Sequence, residues 1–341
     1  MVNELKTKSY DYTLPQELIA TKPARPRDSS RLLVVNRKSK KITHTVFSDI
    51  FSFFPKESAI IYNNTKVIKA RLFGKKLSGG KIELLINRQI DANRVNVFIK
   101  GKVKEKTQII FDKELYAKVL KLCDDGSRVI SFYDQGKNII EFKNLLKYLD
   151  RLGHTPLPPY IQRSELKEDE ESYQPVFAKH KGAVAAPTAS LHFTDKLFEK
   201  MQQNYTTSPI TLHVGAGTFK PVESDTITDH KMHSEYYDIP FQTQKIIDSN
   251  TPIIAIGTTV TRTIEHYART KSAFGECDLF LHPKNKPIRV NHLLTNFHLP
   301  KSTLIMLVAS FLGIEMTMKV YNLAIEKRYR FYSYGDAMLI I

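Results

Sequence analysis

Apolar and polar positions change rhythm twice along the chain. Over the first sixty residues, short apolar runs predict buried strands at 31–36 (RLLVVN) and 59–62. Pro55 precedes the second run and the turn pair Asn63-Asn64 follows it. Residues 14–20 predict a short helical turn. From there to about Leu122, runs such as KVIKARLFG, KIELLIN, RVNVFIK, QIIF and YAKVLKL alternate apolar with polar residues. Gly79-Gly80, Asp91-Ala92-Asn93 and Gly101 interrupt them. A period of two with frequent turns predicts an antiparallel barrel or small sandwich, continuing through residues 128–133. Beyond Ile139 the helical period returns: 142–152 reads as a helix stopped by Gly153. Strand-like TLHV and PIIAIG then alternate with helices over 195–203, 259–269 and 315–328. The expected fold is an α/β main domain assembled from residues 1–61 and 139–341, with residues 62–138 inserted as a basic antiparallel β-barrel domain. The acidic run SELKEDEES (164–172) predicts an exposed loop. The longest apolar run, LIMLVASFL (304–312), is far shorter than the roughly 20 residues of a membrane span and predicts a buried helix.

Composition sharpens this picture. The chain has 341 residues, 42% of them apolar and 25% charged, which suits two folded domains rather than a disordered chain. Lysine and arginine number 51 against 35 acids, a net +16. Residues 62–122 alone hold 15 of the cations and 5 of the acids, a local net of +10. An antiparallel sheet leaves one face in water, so this excess suits a phosphate-binding surface better than simple solubilisation. Cys123 and Cys277 form no CxxC, which argues against a disulfide framework or a thiolate zinc site and suits a reducing cytoplasm. The amino terminus is polar at once, with no signal-peptide core expected.

Five segments carry candidate chemistry. LHVGAGTF (212–219) sets Gly215 and Gly217 after a strand, where backbone can approach a ligand. Pro221 follows too soon for the helix of a dinucleotide fingerprint. GAVAAPTASLHFT (182–194) is too small-sided for a core element and suits close backbone approach, with His192 ahead of the helix cap Thr194. IAIGTTVTRTIE (254–265) is a strand, a turn and a helix capped by Thr258 and Thr259, whose amino terminus favours an anion. Arg262 and Glu265 stand three apart and are placed to pair. LLTNFHLPKS (293–302) brings Asn296 and His298 to a buried loop, with Ser302 or Thr303 capping the next helix; the pair suits either acid–base work or a structural hydrogen bond. RYRFYSYGDAMLII at the carboxyl terminus interleaves Arg330 and Tyr332 with other cations and rings, as base stacking or a packed last strand would. No metal-ligand spacing, GxSxG or Walker loop occurs.

Taken in order, these segments resemble the S-adenosylmethionine:tRNA ribosyltransferase-isomerase family of queuosine synthesis. The resemblance runs through YDYTLPQELIA, PRDSSRLLVV, NNTKVIKARLFG, GHTPLPPYI, YQPVFAKHKGAVAAPTASLHFT, TLHVGAGTFKPV, HKMHSEYY, IGTTVTRTIE, LLTNFHLPKSTLIMLV and YRFYSYGDAMLI. It implies a barrel inserted in an α/β domain, in a cytoplasmic, monomeric, metal-free enzyme. That enzyme would move and isomerise the ribosyl group of S-adenosylmethionine onto 7-aminomethyl-7-deazaguanine at the tRNA wobble position, releasing adenine and methionine. By the same resemblance His298, His192 and His213 are candidate bases, and Asp336 a carboxylate for a ribose hydroxyl or the amine. Gly215, Gly217, Thr218, Thr258, Thr259, Arg262 and Asn296 are candidates for holding S-adenosylmethionine, Arg262 by its methionine carboxylate. Arg71, Lys75, Lys76, Arg330 and Tyr332 are candidates for tRNA. The chain departs from the family pattern at PKNKPIRVNH, with Lys284, Asn291 and His292, and at Ser190, where a glycine is usual. The rival readings are an RNA methyltransferase using the same S-adenosylmethionine and a non-enzymatic RNA-binding barrel.

Overall fold

The computed structural model describes residues 3–219 and 221–341, with side chains for all of these except Thr218 and Phe219. The chain opens with β1 (Arg31–Val35), β2 (Ile42–Val46), β3 (Ala59–Asn63) and β4 (Thr65–Val67). Six strands follow: β5 (Arg71–Lys76), β6 (Lys81–Gln89), β7 (Val95–Lys100), β8 (Gln108–Asp112), β9 (Leu115–Leu122) and β10 (Arg128–Tyr133). After β11 (Ile139–Ile140) come α1 (Phe142–Leu152), α2 (Asp169–Ser172), β12 (His180–Ala183), α3 (Asp195–Asn204) and β13 (Thr207–Leu212). The rest is β14 (Glu235–Asp238), α4 (Phe241–Asp248), β15 (Ile253–Ile256), α5 (Thr258–Thr270), β16 (Phe274–Cys277), β17 (His292–Asn296), α6 (Thr303–Leu312), α7 (Ile314–Glu326) and β18 (Ala337–Ile340).

Strands β5 to β10 pair antiparallel in the order β10-β7-β6-β5-β8-β9, and β9 returns to β10, so the sheet closes into a barrel without free edges. Period two in the sequence becomes inside and outside here: Leu72, Leu84, Ile86, Val97, Val119, Ile130 and Phe132 are buried in the interior. Helix α1 adds Phe142, Leu145 and Leu149 to the same core. The chain between 139 and 152, assigned to the main domain on its helical period, thus packs on the barrel.

The main sheet has nine strands in the order β16-β14-β13-β3-β15-β17-β18-β1-β2. Its centre, β13-β3-β15-β17, is parallel, and antiparallel strands flank it on both sides. Both β3 and β15 are buried along their whole length, as continuous apolar runs must be when both faces are covered. Ile60, Ile254 and Ile256 pack with Phe47, Phe193 and Leu197 on one face, whereas Ile61, Ile253 and Ala255 meet Val260, Ile264 and Tyr237 on the other. Because the four central strands run the same way, their carboxyl ends at Leu212, Asn63, Ile256 and Asn296 lie side by side. That edge is where open α/β sheets hold ligands.

Two local details differ from the expectations. The acidic run is largely exposed, as expected, but Asp169 within it is 2% exposed, takes both Arg163 Nη1 (2.7 Å) and Nη2 (2.8 Å), and accepts the Leu166 N–H at 2.7 Å. A carboxylate leaves water only with such partners. At α5 the cap is Gly257, at φ +97°, with no side-chain capping bond; Thr258 and Thr259 are already inside the helix. Ser302 and Thr194 do cap α6 and α3 through the N–H groups of Ile305 and Leu197. Among the described residues no single helix is long and apolar enough to cross a membrane.

Candidate active site

A cavity opens at the carboxyl edge of the parallel strands. Three of the four strand ends supply part of it: the chain after β13 gives Val214, that after β15 gives Gly257, Thr258 and Thr259, and β17 with its following loop gives the stretch from Thr295 to Leu299. The small segment 185–189 (AAPTA) forms another wall, held to the loop after β13 by Val184 and Ala185 N–H bonds to the Val214 carbonyl at 2.8 and 3.1 Å. Small side chains bring backbone to the cavity surface, as this string predicted. The amino terminus of α5 faces the same space without a side-chain cap, so its first N–H groups and the helix dipole are available to an anion. Tyr160 and Tyr332 stack with ring centroids 4.3 Å apart at the remaining wall, and the Tyr160 hydroxyl donates to Ser333 Oγ.

The polar groups within this frame are fixed by one another. Asn296, 1% exposed, donates from Nδ2 to the Tyr332 carbonyl (3.1 Å) and to His192 Nε2 (3.0 Å), and accepts from Thr188 Oγ1 at 3.0 Å. Tyr332 holds a left-handed backbone at φ +71°, a strained setting for an aromatic residue that puts its carbonyl within reach of Asn296. His298 Nε2 lies 2.7 Å from Thr295 Oγ1, and its backbone is clamped by the hydroxyls of Tyr321 and Tyr12. Burial pushes the His298 imidazole down to about 3, so the ring is uncharged at neutral pH. No acid or base of fixed charge lines the cavity among the described residues.

The structure brings His298, Asn296, Thr258 and Thr259 together here and disperses the other candidates. His192 lies behind Asn296, stacked on Phe47, with Nδ1 bound to Ser30 Oγ at 2.8 Å. Both ring nitrogens are occupied, and burial lowers it to about 4. Its Nε2 meets Asn296, and it does not line the cavity. His213 points away into a second cleft between barrel and sheet, bonded to Thr65 Oγ1 at 2.8 Å, with Gly215 and Gly217 lining the same cleft. The tight loop explains Gly182: a Cβ there would stand 2.6 Å from the His213 ring.

Arg262 is spent inside the protein. It donates to Glu235 at 2.7 Å and to the carbonyls of Leu279 (3.0 Å) and Cys277 (3.1 Å), with the side chain 4% exposed, and it does not line the cavity. The expected pairing with Glu265 is absent because Glu265 instead accepts the N–H groups of Ile288, Arg289 and Val290. Asp336 likewise accepts the N–H groups of Arg31 (3.0 Å) and Arg330 (2.8 Å), tying the last strand to β1, and lies outside the cavity. Both buried charges had to find internal partners, and spacing along the chain could not name them. The Thr218 side chain lies outside the described residues.

Of the residues considered for tRNA, Lys75 is exposed on β5. Lys76 donates to the Lys102 carbonyl, and Arg71 shares Glu83 at 3.5 Å and reaches the Leu157 carbonyl. Arg330 lies 3.6 Å from Asp336, and Tyr332 belongs to the cavity. The divergent stretch stays clear of the cavity. Asn291 exchanges bonds with Ile253, and Lys284 pairs with Glu4 at 2.8 Å. His292 begins β17 at its end away from the cavity. Sequence reasoning passed over Tyr160, Thr188 and Ser333, although each sits in a string that carried the resemblance; no spacing rule marks an aromatic in a proline-rich loop as a ligand wall.

Comparison with known proteins agrees with this architecture. Residues 7–340 match the family described as queuosine biosynthesis protein. The chain is 60% identical over 340 residues to the S-adenosylmethionine:tRNA ribosyltransferase-isomerase of Sulfurimonas denitrificans, covering 99% of each chain. It is 59% identical over all of both chains to the protein of that name from Nitratiruptor sp., and 55% identical to one from Campylobacter jejuni, again over all of both chains. A crystal structure of S-adenosylmethionine tRNA ribosyltransferase from Thermotoga maritima superposes with a TM-score of 0.55 at 32% identity, covering 98% of this chain and 100% of that one. The closed barrel set into a mixed α/β sheet, the cavity at its carboxyl edge and these full-length matches lead to one conclusion: the chain belongs to the queuosine biosynthesis protein family, the S-adenosylmethionine:tRNA ribosyltransferase-isomerases.

Proposed function

We propose that this chain transfers and isomerises the ribosyl group of S-adenosylmethionine onto 7-aminomethyl-7-deazaguanine at the wobble position of tRNA, in the cytoplasm. Epoxyqueuosine-tRNA forms, and adenine and methionine are released. The observation that carries the reading is the cavity itself, in which a free helix terminus, an aromatic pair and an uncharged imidazole face one space. The α5 terminus at Thr258 and Thr259 takes the methionine carboxylate. The Tyr332 and Tyr160 faces accommodate the cationic sulfonium or the adenine ring.

The chemistry favours an enclosure without fixed charge. A sulfonium acidifies the neighbouring C5′ hydrogens, and removing one gives a neutral ylide. A carboxylate beside the sulfur would stabilise the cation and oppose that step; none lines this cavity among the described residues. His298 is the base in place. It is unprotonated at neutral pH, and a substrate carboxylate bound nearby raises its basicity. Asn296, locked by three hydrogen bonds, has both amide N–H groups engaged and keeps one acceptor position on Oδ1, which takes a ribose hydroxyl.

The test uses purified protein, S-adenosylmethionine and tRNA bearing 7-aminomethyl-7-deazaguanine, with small products separated by chromatography. Adenine and methionine released only when that tRNA is present are the expected result. S-adenosylhomocysteine in their place would make the chain a methyltransferase, and tRNA binding without turnover would make it a binding protein.

A further inference from the structure

The outer face of the barrel holds an aromatic side chain that the fold does not use. On β5, Leu72 points inward and is 1% exposed, whereas Phe73 points outward and is 52% exposed. Outward neighbours follow from the register. Arg71 and Lys75 flank Phe73 on its own strand, Glu83 stands opposite on β6, Lys81 lies opposite Lys75, and Lys100 lies opposite Glu83 on β7. Four cations thus surround one ring with one carboxylate among them, Glu83, at 3.5 Å from Arg71 and 4.0 Å from Lys100. Lys75 and Lys81 are exposed, and the Lys100 side chain is 87% exposed. One edge of the ring is braced by His154 in a T-shaped contact at 5.0 Å, which fixes its plane while a broad area stays open to water.

We propose that Phe73 is a stacking platform for an RNA base flanking the modified nucleotide, with Arg71, Lys75 and Lys100 contacting the phosphates on either side. The inference rests on tRNA being the substrate. An aromatic face accepts any base, and surrounding lysines track the backbone, which is how sequence-tolerant single-strand sites are built. The platform is also tied to the cavity. His154 pairs with Arg71 through N–H bonds in both directions (3.2 and 2.8 Å), and the chain runs from there to Tyr160 in the cavity wall. Those six residues span at most roughly 20 Å, so one anticodon loop can touch both places.

The chain contains no tryptophan, so F73W places a single indole at the platform of the full-length protein. The indole should be quenched as tRNA is added and recover when salt strips the tRNA away. F73A should raise KM for tRNA about 10-fold with kcat little changed, the lower half of the range for one stacked base, and F73W should restore that KM. Recovery by the larger ring separates stacking from mere loss of support for His154. An indole that stays silent at saturating tRNA, or an F73A KM within about twofold of wild type, would overturn the platform. If wild type fails to turn over the tRNA at all, the substrate assignment falls instead.

Discussion

Replacing Arg262 with methionine separates two accounts of that residue. If the guanidinium gripped a substrate carboxylate, Arg262→Met would weaken S-adenosylmethionine binding and leave folding intact. In the structure its donors go to Glu235 and to the carbonyls of Leu279 and Cys277, so the substitution strands a buried carboxylate that is 3% exposed and two carbonyls. Burial alone would raise Glu235, yet His233, Arg262 and the Gly215 N–H together hold it down to about 2, so removing Arg262 takes away part of what keeps the carboxylate charged. Breaking a buried ion pair by removing one partner costs about 3–5 kcal/mol on general grounds. With a urea slope of about 3 kcal/mol/M, the unfolding midpoint followed by circular dichroism should fall by about 1 M or more. Because the carboxylate is depressed, wild type keeps this stabilisation above about pH 4.5 and loses it as the pH falls toward 2. An Arg262→Met protein that unfolds within 1 kcal/mol of wild type but no longer binds S-adenosylmethionine would refute the reasoning.

Other outcomes follow from single residues. Among the described residues Ser190 Oγ is buried without a hydrogen-bond partner, so Ser190→Ala should stabilise the protein by about 1 kcal/mol in the same urea titration; destabilisation would mean that the hydroxyl has a role. Asn296→Ala should lower kcat/KM at least about tenfold and cost about 1–3 kcal/mol, since Thr188 and His192 lose their common partner; unchanged rates would remove Asn296 from the site. His192 and His298 are held neutral, at about 4 and about 3, by burial. Their stabilisation is therefore complete above about pH 6.5 and fades below it, and stability measured from pH 7 to 4 should fall by a few kcal/mol, less steeply in His192→Gln. A flat profile over that range would contradict the burial of both rings.

Legibility of the fold followed the strength of local patterns. Period two in the barrel strands and continuous apolar runs in β3 and β15 each force one backbone solution, and each was readable. The packing of α1 was not, because an amphipathic helix shows that it covers something without showing which core. The same holds for the site. Small residues at 185–189 and the polar group Asn296 with His298 announced close approach and buried polarity. Whether His192, His213, Arg262 and Asp336 faced a ligand depended on which distant partner each one met. Ser30, Thr65, Glu235 and Arg31 lie far away in sequence, and only the tertiary fold sets them opposite. Buried charges and rings satisfy themselves across the chain, which a reading along the chain cannot follow.

The central claim is that the ribosyl carbons of S-adenosylmethionine, and not its methyl group, reach the RNA. Two preparations of S-adenosylmethionine, one labelled in the ribose and one in the methyl group, incubated with this protein and tRNA carrying 7-aminomethyl-7-deazaguanine, test it directly. Ribose label should enter the tRNA in step with adenine release while methyl label leaves with methionine. Methyl label in the tRNA, with ribose label remaining on the small product, would contradict the account.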